Sequence, residues 1–90
     1  MFDLEGKTAL VTGATGGIGG AIACQLHDRG ATIVASGTRT EKLDKLAANL
    51  GERCHVVEAN LLDAESPNAL IAEAVNIAGS VDILINNAGL

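Results

Sequence analysis

An open α/β sheet of parallel strands, doubly wound in the order 3-2-1-4, is the architecture this sequence predicts. Three observations predict it. Short apolar runs alternate with helical patterns along all 90 residues, a glycine cluster marks the first strand-to-helix junction, and a glycine follows each helical pattern. Parallel strands need crossover connections, and these are right-handed. In that order, the reversal between strands one and four opens a crevice at their C-terminal ends. Residues 1–90 read as one unit, part of a single domain, with no repeat, linker or low-complexity segment.

Each element has its own justification. Thr8-Ala9-Leu10-Val11 is continuously apolar, as suits a strand covered on both faces. A helix is expected from Gly17 to about Arg29, with Ile18, Ile22 and Leu26 as its buried stripe; Gly20, Ala21 and Ala23 allow close approach, and Gly30 stops it. Ala31 to Ser36 forms the second strand. Thr40 then caps a helix whose Leu43, Leu46, Ala47 and Leu50 share one side, and Gly51 ends it. Cys54 to Ala59 is the third strand, left through the turn Asn60-Leu61-Leu62-Asp63. Ser66-Pro67 opens the third helix, with proline where its missing N–H costs little. Leu70, Ile71, Ala74, Val75 and Ala78 supply that helix's buried face, and Gly79 closes it. Val81 to Ile85 is the fourth strand and runs into Asn86-Asn87-Ala88-Gly89-Leu90.

Composition narrows the function classes. A hydrophobic content of 48% excludes a disordered chain, and an aromatic content of 1% leaves the core to Leu, Ile, Val and Ala. A formal charge of -5 argues against a nucleic-acid partner, whose affinity comes mainly from Lys and Arg. No apolar run approaches the ~20 residues that span a bilayer, so no membrane partner is expected. Two cysteines without metal-ligand spacing fit a reducing, cytoplasmic setting; Cys24 and Cys54 are expected to be buried thiols.

Chemistry concentrates at the glycine cluster. A strand, a glycine turn and a helix start bring backbone N–H groups and a positive helix end together, a cradle for phosphate that needs no basic side chain. Gly13 allows the tight turn, Gly17 lets backbone approach a pyrophosphate, and Gly19 lets the first helix pack on the sheet. A dinucleotide site usually has an acid about 20 residues farther on, bonding the ribose 2′-OH. Ser36-Gly37-Thr38-Arg39-Thr40 has none; it offers hydroxyls and a guanidinium, which suit a 2′-phosphate that a carboxylate would repel.

The pattern TGxxxGxG at Thr12 to Gly19, the Asn60-Leu61 turn, and Asn86-Asn87-Ala88-Gly89 resemble the short-chain dehydrogenase/reductase family, which has a Rossmann-type fold. Leu4 to Gly13 and Asn60-Leu61 are most similar to its 3-oxoacyl-(acyl carrier protein) reductases of fatty acid synthesis. The resemblance covers the whole chain. It implies that Gly13, Thr15, Gly16, Gly17, Ile18 and Gly19 line the pyrophosphate, with Thr38 and Arg39 near the adenosine ribose and its phosphate. Asn60 and Leu61 would meet adenine, and Asn87, Ala88 and Gly89 would run along the nicotinamide ribose. Thr12 and Asn86 would hold strands one and four together. Gly16 stands where many NADPH-dependent members carry a basic residue, so Arg39 would lack that second cation; NADP(H) is expected over NAD(H) on Arg39 and the missing acid alone.

Family chemistry is hydride transfer between nicotinamide and a carbonyl, assisted by Tyr, Lys, Ser and Asn located after the Asn-Asn-Ala-Gly segment. This chain contains no Tyr and ends at Leu90, so no catalytic residue is assigned and the 90 residues alone are expected to be inactive. The resemblance implies the N-terminal, cofactor-binding part of a homotetrameric reductase acting on an acyl carrier protein-linked substrate. Alternatives are another short-chain dehydrogenase acting on a sugar or hydroxy acid, a non-catalytic dinucleotide-binding module, and an assembly subunit. His27, His55 and Asp82 are read as structural or solvated residues, and Asp63 and Glu65 as helix-start charges. With four strands only, strand four would be an apolar edge and one sheet face would be covered by helix three alone.

Overall fold

The computed structural model describes residues 3–14, 17–37, 40–58 and 67–85. Its elements follow the expected alternation: β1 (Thr8–Thr12), α1 (Gly17–Asp28), β2 (Thr32–Gly37), α2 (Thr40–Leu50), β3 (Cys54–Glu58), α3 (Pro67–Ala78) and β4 (Ile83–Ile85). All strand pairs are parallel, in the order β3-β2-β1-β4. Val11 stands opposite both Ala35 and Ile85, and Ala35 opposite Val56, so the carboxyl ends of all four strands meet at one edge.

Alternation along the strands sorts their side chains between two layers. Ala9, Val11, Ile33 and Ala35 are fully buried beneath α1 and α2, packed with Ala23 and Leu43. Leu10 and Val34 face the other way, toward Ala74 of α3. On the α2 side the expected stripe is observed: Leu43 is fully buried and Leu46, Ala47 and Leu50 are half-buried. Burying a leucine of that kind stabilises the fold by about 1.5–3 kcal/mol. Thr40 is the first residue of α2, and its side chain lies outside the described residues.

Two expected stripes are corrected. On α1 the buried residues are Gly19 and Ala23, and Leu26 of the expected stripe packs half-buried against the core, whereas Ile18 is 67% exposed and Ile22 only half-buried. The helix lies on the sheet through its smallest side chains, which allow close approach, and the every-fourth-residue isoleucines flank that contact. On α3, Ala74 is buried with Ile71 and Ala78 beside it, while Val75 is 40% exposed. Leu70 lies in α3, and its side chain is outside what the structure describes.

Chain reversals at the amino edge are specified by backbone chemistry. Gly30 adopts φ 104°; its N–H donates to the His27 carbonyl and the Ala31 N–H to the Leu26 carbonyl. These paired bonds close α1 with a Schellman motif. A Cβ on Gly30 would sit 3.1 Å from the Glu5 nitrogen, so the position needs glycine for space as well as for conformation. Arg53 adopts φ 63° in the turn before β3, and its guanidinium donates to the Ala31 carbonyl at 2.8 Å and the His27 carbonyl at 3.4 Å. A cation there faces the negative end of α1.

The two cysteines differ from expectation. Cys24 is exposed on α1, and Cys54 is half-buried at the start of β3. Burial, and secondarily the nearby Cys24 sulfur, push the Cys54 thiol above its ordinary value of 9.0. Among the described residues no helix is long and apolar enough to cross a membrane, and no group of three potential metal ligands occurs.

Candidate nucleotide-binding site

The site begins where β1 stops. Gly13 takes φ 64°, a left-handed conformation that glycine adopts without steric cost, and turns the chain off the strand. The next N–H, of Ala14, donates to the Ser36 carbonyl at 3.0 Å and pins the turn to the end of β2. The helix starts at Gly17, leaving its first backbone N–H groups without intrahelical partners. No acidic residue occupies the first turn of α1, so no carboxylate opposes an anion there.

The glycines have separable roles. A Cβ built on Gly17 meets nothing within 4 Å, so the chain's own packing does not require glycine at this position. A ligand lying on the helix start would require it. Gly20, in contrast, answers to packing: its Cβ would come 3.3 Å from the Ala14 carbonyl oxygen. Gly19 is buried, as helix-on-sheet contact demands. Ile18 projects beside the helix start with two thirds of its surface exposed. The start of α1 therefore fits a pyrophosphate by its open approach, the N–H groups that a first helical turn leaves without intrahelical partners, and its lack of acid.

Of the sequence-derived site residues, Gly13, Gly17, Ile18 and Gly19 are thus brought together at one end of α1. Thr15, Gly16, Thr38, Arg39, Asn60, Leu61, Asn87, Ala88 and Gly89 lie outside the described residues. The strands that lead to them end on the same sheet edge, at Gly37, Glu58 and Ile85. The expected role of Thr12 is observed: its Oγ1 donates to the Ile85 carbonyl at 3.2 Å, joining β1 to β4 below the crevice. Asn86 and the acids Asp63 and Glu65 are outside the described residues.

Among the described residues neither histidine forms a catalytic arrangement. His27 Nε2 donates to the Glu52 carbonyl at 2.6 Å, tying α1 to the turn before β3, and His55 is exposed on β3. Sequence reasoning missed a cationic feature. Lys42 and Lys45 line an open groove between α1 and α2, about 430 Å³, that reaches the turn at Ala14 and Gly17. Their i, i+3 spacing places them on one helix face, but only the tertiary pairing of α2 with α1 shows what that face borders.

Comparisons with known proteins agree with this geometry. Residues 7–90 match the family model described as short chain dehydrogenase. Nodulation protein G of Rhizobium sp. (strain N33) is 52% identical over 90 residues, covering 100% of this chain and 37% of that protein. A 3-oxoacyl-(acyl-carrier-protein) reductase of Aquifex aeolicus is 44% identical, covering 97% of this chain and 37% of that enzyme. Among solved structures, a short chain dehydrogenase from Mycobacterium smegmatis superposes with a TM-score of 0.89 at 36% identity, over 100% of this chain and 40% of its own. A 3-ketoacyl-(acyl-carrier-protein) reductase from Brucella melitensis, complexed with NADH, superposes with a TM-score of 0.82 at 32% identity, over 91% of this chain and 34% of its own. The chain therefore spans little more than a third of the length of these curated relatives.

Proposed function

Because this chain belongs to the short chain dehydrogenase family, we propose that it is the cofactor-binding portion of an NADP(H)-dependent short-chain reductase, the complete protein reducing an acyl carrier protein-linked 3-oxo substrate. One observation carries the cofactor reading: the helix start at Gly17 is open, free of acid and aligned with three other strand ends. Gly13, Gly17, Ile18 and Gly19, with Thr15 and Gly16, would hold the pyrophosphate through backbone N–H groups. Thr38 and Arg39 would hold the adenosine ribose and 2′-phosphate, Asn60 and Leu61 the adenine, and Asn87, Ala88 and Gly89 the nicotinamide ribose.

When bound, the nicotinamide supplies the hydride. This chain's own residues bind and orient. The Thr12 bond to Ile85 keeps β1 and β4 at a fixed separation beneath the crevice where the nicotinamide end would lie. A rigid floor of this kind supports the alignment on which transfer to a carbonyl depends. The 44% identity to a 3-oxoacyl-(acyl-carrier-protein) reductase supports the substrate class, a cytoplasmic location and a homotetrameric complete enzyme being parts of the same reading. The 52% identity to nodulation protein G favours a second reading, in which the complete protein serves nodulation.

Calorimetric titration tests the cofactor reading. NADPH is expected to bind more tightly than NADH, with AMP weaker than either; binding of none of the three overturns it. Sequencing the reading frame beyond Leu90 tests the reductase reading. A Tyr followed four residues later by Lys is expected, and an immediate stop codon overturns it for this chain.

A further inference from the structure

The groove between α1 and α2 has an asymmetric lining. Gly17, Gly20 and Ala21 line it from α1, and Lys42, Lys45 and Leu46 line it from α2. Both helices start at the carboxyl edge of the sheet, so of the lining residues Gly17 and Lys42 lie at the end of the groove nearest that edge, its mouth. Lys45 lies one turn deeper, about 4.5 Å along the axis at 1.5 Å per residue. Of the α1 residues that line it, Gly17, Gly20 and Ala21 carry nothing larger than a methyl group and Cys24, farther along the helix, carries a thiol, so the wall leaves room for a ligand group beside Gly17.

Charge separates this groove from the rest of the surface. The chain has six basic residues against eleven acids, yet among the described residues no acid lines the groove. Two other cations are committed: Arg29 pairs with Asp3 at 3.4 Å, and Arg53 holds the carbonyls of Ala31 and His27. The Lys42 ammonium makes no hydrogen bond or ion pair among the described residues. It lies three positions beyond Arg39, while Ala14 and Gly17, where the dinucleotide's phosphates would begin, share the groove with it.

We propose that Lys42 is a specificity-determining residue that holds the 2′-phosphate of NADP(H) at the mouth of the α1–α2 groove. It supplies from α2 the second cation that Gly16 does not supply from the turn. The inference rests on the dinucleotide reading above and adds a residue to it. An ammonium meeting a phosphate makes a charge-assisted bond, stronger than a neutral one, and solvent at the groove mouth reduces its worth.

Calorimetric titration of the chain with adenosine 2′,5′-bisphosphate and with 5′-AMP isolates the effect, since the two probes differ only in the 2′-phosphate. The unaltered chain is expected to prefer the bisphosphate. Lys42→Ala is expected to cut that preference by about three- to tenfold with 5′-AMP binding unchanged, and Lys42→Arg to retain most of it. Lys45→Ala, one turn deeper, is expected to change it less than twofold. Full preference in Lys42→Ala, or an equal loss in Lys45→Ala, overturns the role of Lys42 and leaves the cofactor reading standing. Equal binding of the two probes by the unaltered chain overturns the NADP(H) preference and this inference with it, and binding of neither overturns the dinucleotide site as well.

Discussion

Thr8 and Asp82 hold each other at two points across 74 residues of sequence: the Thr8 N–H donates to Asp82 Oδ2 at 2.9 Å, and the Asp82 N–H donates to the Thr8 carbonyl at 2.8 Å. The pair joins β1 to the entry of β4 at the amino edge, as the Thr12 bond to Ile85 does at the carboxyl edge. Thr8 is 4% exposed, so its N–H has little access to replacement water. Asp82→Ala is therefore expected to destabilise the fold by about 1–2 kcal/mol. Asp82→Asn keeps an acceptor oxygen and is expected to cost less than half as much. Urea unfolding followed by circular dichroism measures both, and equal stability of Asp82→Ala and the unaltered chain would show that the contact contributes nothing.

The alternation of elements and the α2 stripe were legible because period and glycine position fix them locally, and the sheet order followed from the doubly wound pattern to which such alternation belongs. Thr12 was legible through family resemblance, and its bond to Ile85 is observed. The α1 stripe was misread at Ile18 and Ile22, because an isoleucine period resembles a buried face, while Leu26 and the small residues Gly19 and Ala23, read as allowing close approach, do meet the sheet side. Asp82 showed no partner in the sequence, since Thr8 lies 74 residues away. Lys42 was likewise silent, because its significance depends on α2 lying beside the first turn of α1. Local pattern thus revealed the glycine turn, and tertiary pairing was needed for everything that borders it.

Gly30 is the most constrained turn on the amino edge, combining φ 104° with a 3.1 Å approach to the Glu5 backbone. Gly30→Ala meets both a conformational and a steric penalty, and backbone cannot yield as a flexible side chain would. The expected loss is about 1–3 kcal/mol. On heating, the variant should melt several degrees lower with the same cooperativity. An unchanged melting temperature would mean that the Leu4 to Lys7 segment yields freely.

Cys54 and Cys24 should separate by reactivity. Cys24 is exposed, and the half-buried Cys54 has its thiol pushed above 9.0 by burial and by Cys24. At pH 8 iodoacetamide should modify Cys24 first, and the Cys54 rate should keep rising beyond pH 9, because only the thiolate reacts. The linkage has a definite sign. The fold favours the neutral thiol, so its contribution is complete below 9.0 and is lost as pH rises through the higher folded value. Cys54→Ala should remove that part of the alkaline loss of stability, and identical alkaline profiles for the two proteins would exclude it.

Leu84 is 48% exposed on β4, the edge strand beyond β1, and lies on the sheet face that α3 covers elsewhere. Alternation places it on the same side as Leu10, its partner in register, which is fully buried. An apolar side chain beside an unpaired strand edge invites association between chains. The 90-residue chain is accordingly expected to be marginally stable and to self-associate as its concentration rises. Leu84→Lys places a charge on that surface without vacating a buried position, so it should shift the chain toward monomer while changing stability by less than about 0.5 kcal/mol. Sedimentation velocity over a tenfold concentration range distinguishes the two chains. A concentration-independent monomer for the unaltered chain, unfolding cooperatively, would show that this edge is protected already.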